Sequence, residues 1–169
     1  MDNNRHSTDE LFFRTITYFA GSTQQIQHFT KVHAYAALIG RAESLSETEQ
    51  LMLEAAAVVH DVGIPPAERK YGSCAGKYQE LEGPPVSRGL MEPLGFSADV
   101  IDRVCYLVGH HHTYSNIDGK DYQILVESDF LVNLFEGGEG KNRDAVVAVR
   151  DNIFRTCTGI RLLGEMFGL

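Results

Sequence analysis

Apolar residues recur along this chain at intervals of three and four, and short polar breaks carrying glycine or proline separate the runs. The runs open on helix-start chemistry. Ser7-x-x-Glu10, Ser22-x-x-Gln25 and Ser46-x-x-Glu49 each place a hydroxyl three positions before an acid or amide, the pairing that satisfies free N–H groups at both ends of a first helical turn. They predict a helix from Ser7 closed by Gly21, a second running toward Glu43, and a third ending near His60–Asp61. Gly63, Pro65 and Pro66 stop that third helix. Residues 69–83 are glycine-rich and aperiodic and read as a loop. Pro84–Pro85 suits a helix start, with the end by Gly95, and Ser97 caps a helix reaching His110–His112. Tyr122 to Glu136 reads as another helix, broken by Gly137–Gly138, and two short helices over 140–169 finish the chain. Strand-type alternation bounded by turns is missing, as is any repeat. The prediction is one all-α domain over residues 1–169, a helical bundle with its core in about 25–136 and the C-terminal helices packed on it.

Composition agrees with that picture and narrows the function. At 169 residues the chain supports a single sizeable core, and 43% hydrophobic against 22% charged residues is a globular rather than a disordered balance. No run approaches the roughly 18–20 apolar residues of a membrane span, so no membrane partner is expected. The polar opening MDNNRHSTDE does not read as a secretory leader. A formal net charge of −8 argues against binding nucleic acid through its backbone, while leaving room for a small phosphorylated substrate met by a metal and a few local basic groups. Cys74, Cys105 and Cys157 are scattered and form no CxxC pair; they read as reduced thiols of a cytoplasmic protein.

The chemistry starts where the apolar run Leu51–Val59 meets His60–Asp61. An ionised carboxylate at the end of a buried helix needs a cation, and the free carbonyls there favour one. A divalent ion shared by the imidazole and the carboxylate meets that need; a simple His60–Asp61 hydrogen bond is the alternative. Further donors lie elsewhere. His28 shares a helical face with Val32, Tyr35 and Ile39, whereas His33 lies about 140° away and reads as a surface or packing residue. The row Val104, Leu107, Val108 continues to His111, flanked by His110 and His112, which fan over about 200° of a helix. Asp129 stands among Leu125, Val126 and Val132, while Glu127 falls on another face and reads as solvated. Together His28, His60, Asp61, His111 and Asp129 form an imidazole and carboxylate set suited to Mn, Fe, Co, Ni or Zn, with Mg where oxygen ligands dominate.

This spacing resembles the HD-domain superfamily of metal-dependent phosphohydrolases over roughly residues 25–136. The family pattern falls on His28 of HFTKVHAYA, His60–Asp61 of AAAVVHDVGI and Asp129 of LVESDFLVNL. The resemblance implies hydrolysis of a nucleotide or similar small phosphate ester, with one or two divalent ions held by His28, His60, Asp61, His111 and Asp129. It implies Asp61 and His110 as catalytic residues, His110 or His111 either binding a second ion or protonating the leaving oxygen. Lys77 and Arg88 are the phosphate-contact candidates, beside Arg69 and Lys70, with an ordinary solvated lysine the alternative for Lys77. Tyr71 and Tyr78 are candidates to stack on a base. The stretch EGPPVSRGL has Pro85 where two-metal members carry a histidine, leaving Glu80 or Glu82 as substitutes. Val62–Pro65 lack the acids of the alarmone hydrolases, and TYSNIDGKDYQ lacks the GYP of the cyclic-dinucleotide enzymes. A di-iron oxidase or oxygenase and a metal-binding module without catalysis are the other readings. The apolar C-terminal residues Ile160, Leu162, Leu163, Met166 and Phe167 either cap the core or form a homodimer contact.

Overall fold

The computed structural model describes the backbone of residues 2–169 and the side chains of residues 8–169. Helix α3 (Glu47–Val59) occupies the middle of the bundle, because Leu53 and the whole run Ala55–Val59 are fully buried. Its start is the expected capping box: Ser46 Oγ accepts from the Glu49 N–H, and the Glu49 carboxylate accepts from the Ser46 N–H at 2.9 Å. Around it pack α1 (Asp2–Tyr18), α2 (Thr23–Ala42), α6 (Ala98–Val108) and α7 (Lys120–Glu136). Three alanines in a row keep α3 thin, and Gly40 of α2 permits close approach: a methyl group there would lie 3.0 Å from the Leu53 side chain. Among the described residues there are nine α-helices and no strand, so the fold is all-α. No helix of the described residues is long and apolar enough to cross a membrane.

Several boundaries differ from expectation. Helix α1 starts at Asp2 and runs through Ser7, whose side chain lies outside the described residues. Pro65 and Pro66 do not merely stop α3. They stand in the first turn of a short helix, α4 (Ile64–Tyr71), where a missing N–H has no intrahelical partner to lose. The expected loop 69–83 is largely helical, since α5 (Gly76–Met91) carries Pro84 and Pro85 in its interior rather than at its start. The face α5 buries consists of Gln79, Glu82, Gly83, Ser87 and Met91, so the helical period is present but written mostly in polar and small residues. Gly63 lets this helix cross close above the end of α3, because a methyl group on Gly63 would fall 2.4 Å from the Gln79 carbonyl oxygen.

Helices α8 (Arg143–Ile153) and α9 (Cys157–Phe167) pack against α7, and α9 also reaches α2. Leu163 is fully buried and Leu162 and Phe167 pack on the core, while Ile160 and Met166 remain partly exposed, so this segment does cap the core. The joint is Glu127, which is fully buried rather than solvated. Its carboxylate accepts from Gln123 Nε2 at 2.8 Å and from the N–H groups of Arg155 and Thr156 at 2.6 and 2.9 Å, with the Thr156 hydroxyl as a fourth donor. Thr156 is the N-cap of α9, so backbone donors and helix dipole replace the cation such an acid otherwise needs. Glu127→Ala leaves these buried donors unpaired and is expected to destabilise the fold by about 3 kcal/mol or more. Denaturant titration measures it, and a loss below about 1 kcal/mol would show that water replaces the carboxylate at no penalty.

Candidate metal centre

Four helices deliver the site. His28 stands in the second turn of α2, His60 and Asp61 follow directly on α3, His111 lies in the turn after α6, and Asp129 stands in the middle of α7. His60 is 0% exposed, His111 1%, Asp129 4% and His28 7%, so solvent does not satisfy these groups. The apolar rows that bury each helix place them: Phe29, Val32 and Ile39 turn α2 inward, and Leu125, Val126 and Val132 do the same for α7.

The ring tautomers follow from the bonds. His60 Nδ1 lies 2.9 Å from the Ala57 carbonyl oxygen, His111 Nδ1 2.8 Å from that of Val108, and His28 Nδ1 2.8 Å from Glu136 Oε2. Carbonyl and carboxylate oxygens only accept, so Nδ1–H donates in every case and each neutral ring presents a bare Nε2 lone pair. Those lone pairs converge. His28 Nε2 is 3.2 Å from His60 Nε2, 3.1 Å from Asp129 Oδ1 and 3.5 Å from Asp61 Oδ2. His60 Nε2 is 3.4 Å from Asp61 Oδ2 and 3.7 Å from Asp129 Oδ1. Donor–donor separations of about 3.0–3.4 Å are the edges of a tetrahedron or octahedron with bonds near 2.1 Å. Lone pairs this close repel unless a cation or protons stand among them. The cluster therefore fits a metal ion.

Charge tells the same story. Burial pulls the His28 ring toward neutrality, yet its hydrogen bond to Asp129 and the charges of Asp61 and Asp129 hold its pKa up at about 9. His60 is likewise raised: burial works against it, and the charge of Asp61 and the contact with Asp129 outweigh it. Burial raises Asp61, but His60, and then His111, bring it down to about 2; Asp129 is lowered by His28 and His60 against its own burial. Without a metal, protons on the histidines balance two carboxylates. One divalent ion would do the same with the rings neutral.

A second group adjoins the first. Asp61 turns Oδ2 toward His28 and His60 and Oδ1 toward His111 Nε2, 3.6 Å away. Donor atoms of Asp61, His111 and His112 lie within 4.8 Å of one another, as do those of His28, His60 and Asp61. The Nε2 atoms of His111 and His112 are buried without a hydrogen-bond partner among the described residues. Burial, and then His111 beside it, press the His112 pKa down to about 4, so its ring is neutral near pH 7. Its place is set by backbone contacts: Glu80 Oε1 accepts from the His112 N–H at 3.0 Å and from the Thr113 hydroxyl at 2.9 Å, and Tyr122 donates to the His110 carbonyl at 2.6 Å. Gly76 packs on the ring; a methyl group there would come within 2.8 Å of it.

Several expected residues stand elsewhere. Helix α6 ends at Val108, so the three histidines occupy a turn and not a helical fan. His110 stacks on Tyr106 at 4.3 Å and donates to the Tyr106 carbonyl, and it is not among the residues gathered around Asp61. Arg88 is paired with Asp102 and Glu92 on the surface. Lys77 opens α5 next to Gly76, its ammonium 4.7 Å from the centre of the Tyr78 ring. Tyr71 and Tyr78 stack on each other at 4.2 Å. Glu80 holds the histidine turn and Glu82 binds Lys70 and Tyr71, so neither substitutes for the histidine missing at Pro85. His33 pairs with Glu54 away from the cluster, and the three cysteines are free. Glu136 was not anticipated, although it lies seven residues beyond Asp129 and so on the same face of α7.

These features define an all-helical protein with a buried histidine–aspartate cluster able to hold a metal ion. No protein-family model, curated protein or solved structure matches the chain.

Proposed function

We propose that this protein is a metal-dependent phosphohydrolase of the HD-domain type, acting on a nucleotide or similar small phosphate ester. The observation that carries the reading is the convergence of three Nδ1-pinned imidazoles and two aspartates from four helices, in the order His28, His60–Asp61, His111, Asp129. A divalent ion held there supplies Lewis acidity toward a phosphoryl oxygen and brings the pKa of water toward neutrality. His28, His60, Asp61 and Asp129 would hold the first ion; Asp61, His111 and His112 suit a second. Asp61 and Asp129 carry two negative charges, so one divalent ion neutralises the cluster and a second leaves it positive, the state that attracts phosphate. Lys77, which follows Gly76 at the start of α5, would be the basic side chain to help; Gly76 itself packs on the His112 ring.

Element analysis of the purified protein, followed by phosphate-ester hydrolysis with added Mn, Co, Ni or Zn, tests this reading. Two equivalents of metal and metal-dependent phosphate release are expected, and His112→Ala is expected to keep one equivalent and lose the other. Two bound irons with oxygen uptake and no phosphate release would favour the oxidase reading. Bound metal with neither activity would leave a binding module.

A further inference from the structure

Two of the three inward histidines fix their Nδ1 protons on main-chain carbonyls, those of Ala57 and Val108. His28 uses a side chain. Glu136, the last residue of α7, accepts from His28 Nδ1 through Oε2 at 2.8 Å, and its Oε1 accepts from Lys31 Nζ at 2.5 Å. Lys31 is one turn beyond His28 on α2, so the carboxylate spans one helical face with both oxygens engaged. The Glu136 side chain is only 21% exposed, which limits water as a competing partner. Helix α7 thus supplies carboxylates to both ring nitrogens of His28, Asp129 at Nε2 and Glu136 at Nδ1. Glu136 also forms part of the wall of a cavity of about 550 Å³ with Gln24, Phe130 and Asn133. Gln24 is one turn before His28, and Asn133 one turn after Asp129.

We infer that Glu136, oriented by Lys31, is a positioning residue of the metal centre: it locks the His28 ring with Nε2 toward the ion and makes that nitrogen a stronger donor. The inference rests on the metal reading above. A carboxylate behind a ligating histidine is worth about 10–100-fold in metal affinity. Cobalt(II) alone is the probe, read by its absorption spectrum and by competition against a coloured chelator, on the full chain. Glu136→Ala is expected to weaken the first equivalent by about 10–100-fold and to shift the cobalt spectrum. Glu136→Gln, whose amide oxygen still accepts from Nδ1–H, is expected to recover part of the affinity, and Lys31→Met to fall between wild type and Glu136→Ala. Wild-type affinity and spectrum in Glu136→Ala would overturn the inference. So would equal affinity losses in the Ala and Gln variants accompanied by equal losses of metal-free melting temperature, the mark of a merely structural role. Wild-type protein that takes up no cobalt would instead overturn the metal reading itself.

Discussion

Asp61→Ala is expected to remove both metal equivalents at once and to bring phosphate-ester hydrolysis to background. The reason is position. Asp61 Oδ2 faces His28 and His60 at 3.5 and 3.4 Å, and Oδ1 faces His111 at 3.6 Å, so one carboxylate serves both groups of donors. Losing a partner behind a ligand costs about 10–100-fold in affinity, and losing a shared ligand costs more than about 100-fold at each group. Asp129→Ala and His112→Ala separate the two: the first strips the group around His28 and the second the group around His111. Asp61→Asn preserves shape and removes charge, which distinguishes loss of the anion from loss of packing. Titration with cobalt or manganese, with far-ultraviolet circular dichroism to confirm folding, gives the stoichiometry. An Asp61→Ala protein that still binds two equivalents would end the bridging account.

The buried histidines and aspartates of the cluster were legible because they stand out against apolar rows. An imidazole beside Val32 and Ile39, or a carboxylate among Leu125, Val126 and Val132, contradicts its surroundings unless something positive joins it, and the contradiction is visible in the order of residues. The starts of α2 and α3 were legible locally, since Ser22 and Ser46 stand at their N-cap positions, although only Ser46 makes the cap bonds and Ser22 bonds the Gln25 side chain instead. The first half of α5 was hidden because its buried face is Gln79, Glu82 and Gly83, which no hydrophobic period reports, and because Pro84–Pro85 read as a start. Arg88 falls on the part of α5 that was expected to be helical, and its partner Asp102 comes from α6, which its own stretch of sequence does not announce.

Glu127 and the histidine turn show a second kind of illegibility. A buried acid is expected to advertise itself through a nearby base, but the donors to Glu127 are chiefly main-chain groups of residues 155 and 156, contributed by a later helix start. Main-chain partners have no sequence signature. His112 read only as a flank of His111; because α6 ends at Val108, the turn, Glu80 and Gly76 place its ring instead.

Those same buried charges make stability depend on pH differently with and without metal. In the metal-free protein the His28 pKa stands at about 9 against an ordinary 6.5. A group whose pKa rises on folding lends stability that is complete below its unfolded value and is lost as pH climbs through the folded one. Metal-free protein is therefore expected to lose on the order of 3 kcal/mol between pH 6.5 and 9, a fall in melting temperature of about 6–12 °C for a chain of this size. Asp61 acts at the other end: its pKa, lowered from 3.8 to about 2, lends stability that is lost as pH falls through that range. Metal-loaded protein should instead hold nearly level above pH 6.5, because ligation requires neutral imidazoles, the unfolded ring is neutral there too, and the proton on His28 competes with the ion. The gap in melting temperature between metal-saturated and chelator-treated protein is thus expected to widen steadily from pH 6 to pH 9. His28→Gln should flatten the metal-free slope and close the gap together, since one ring hosts both the proton and the ion. A gap that stayed constant or narrowed with rising pH would mean that no proton leaves the cluster when metal enters, and the lone pairs assigned to His28 and His60 would then have to be satisfied in some other way.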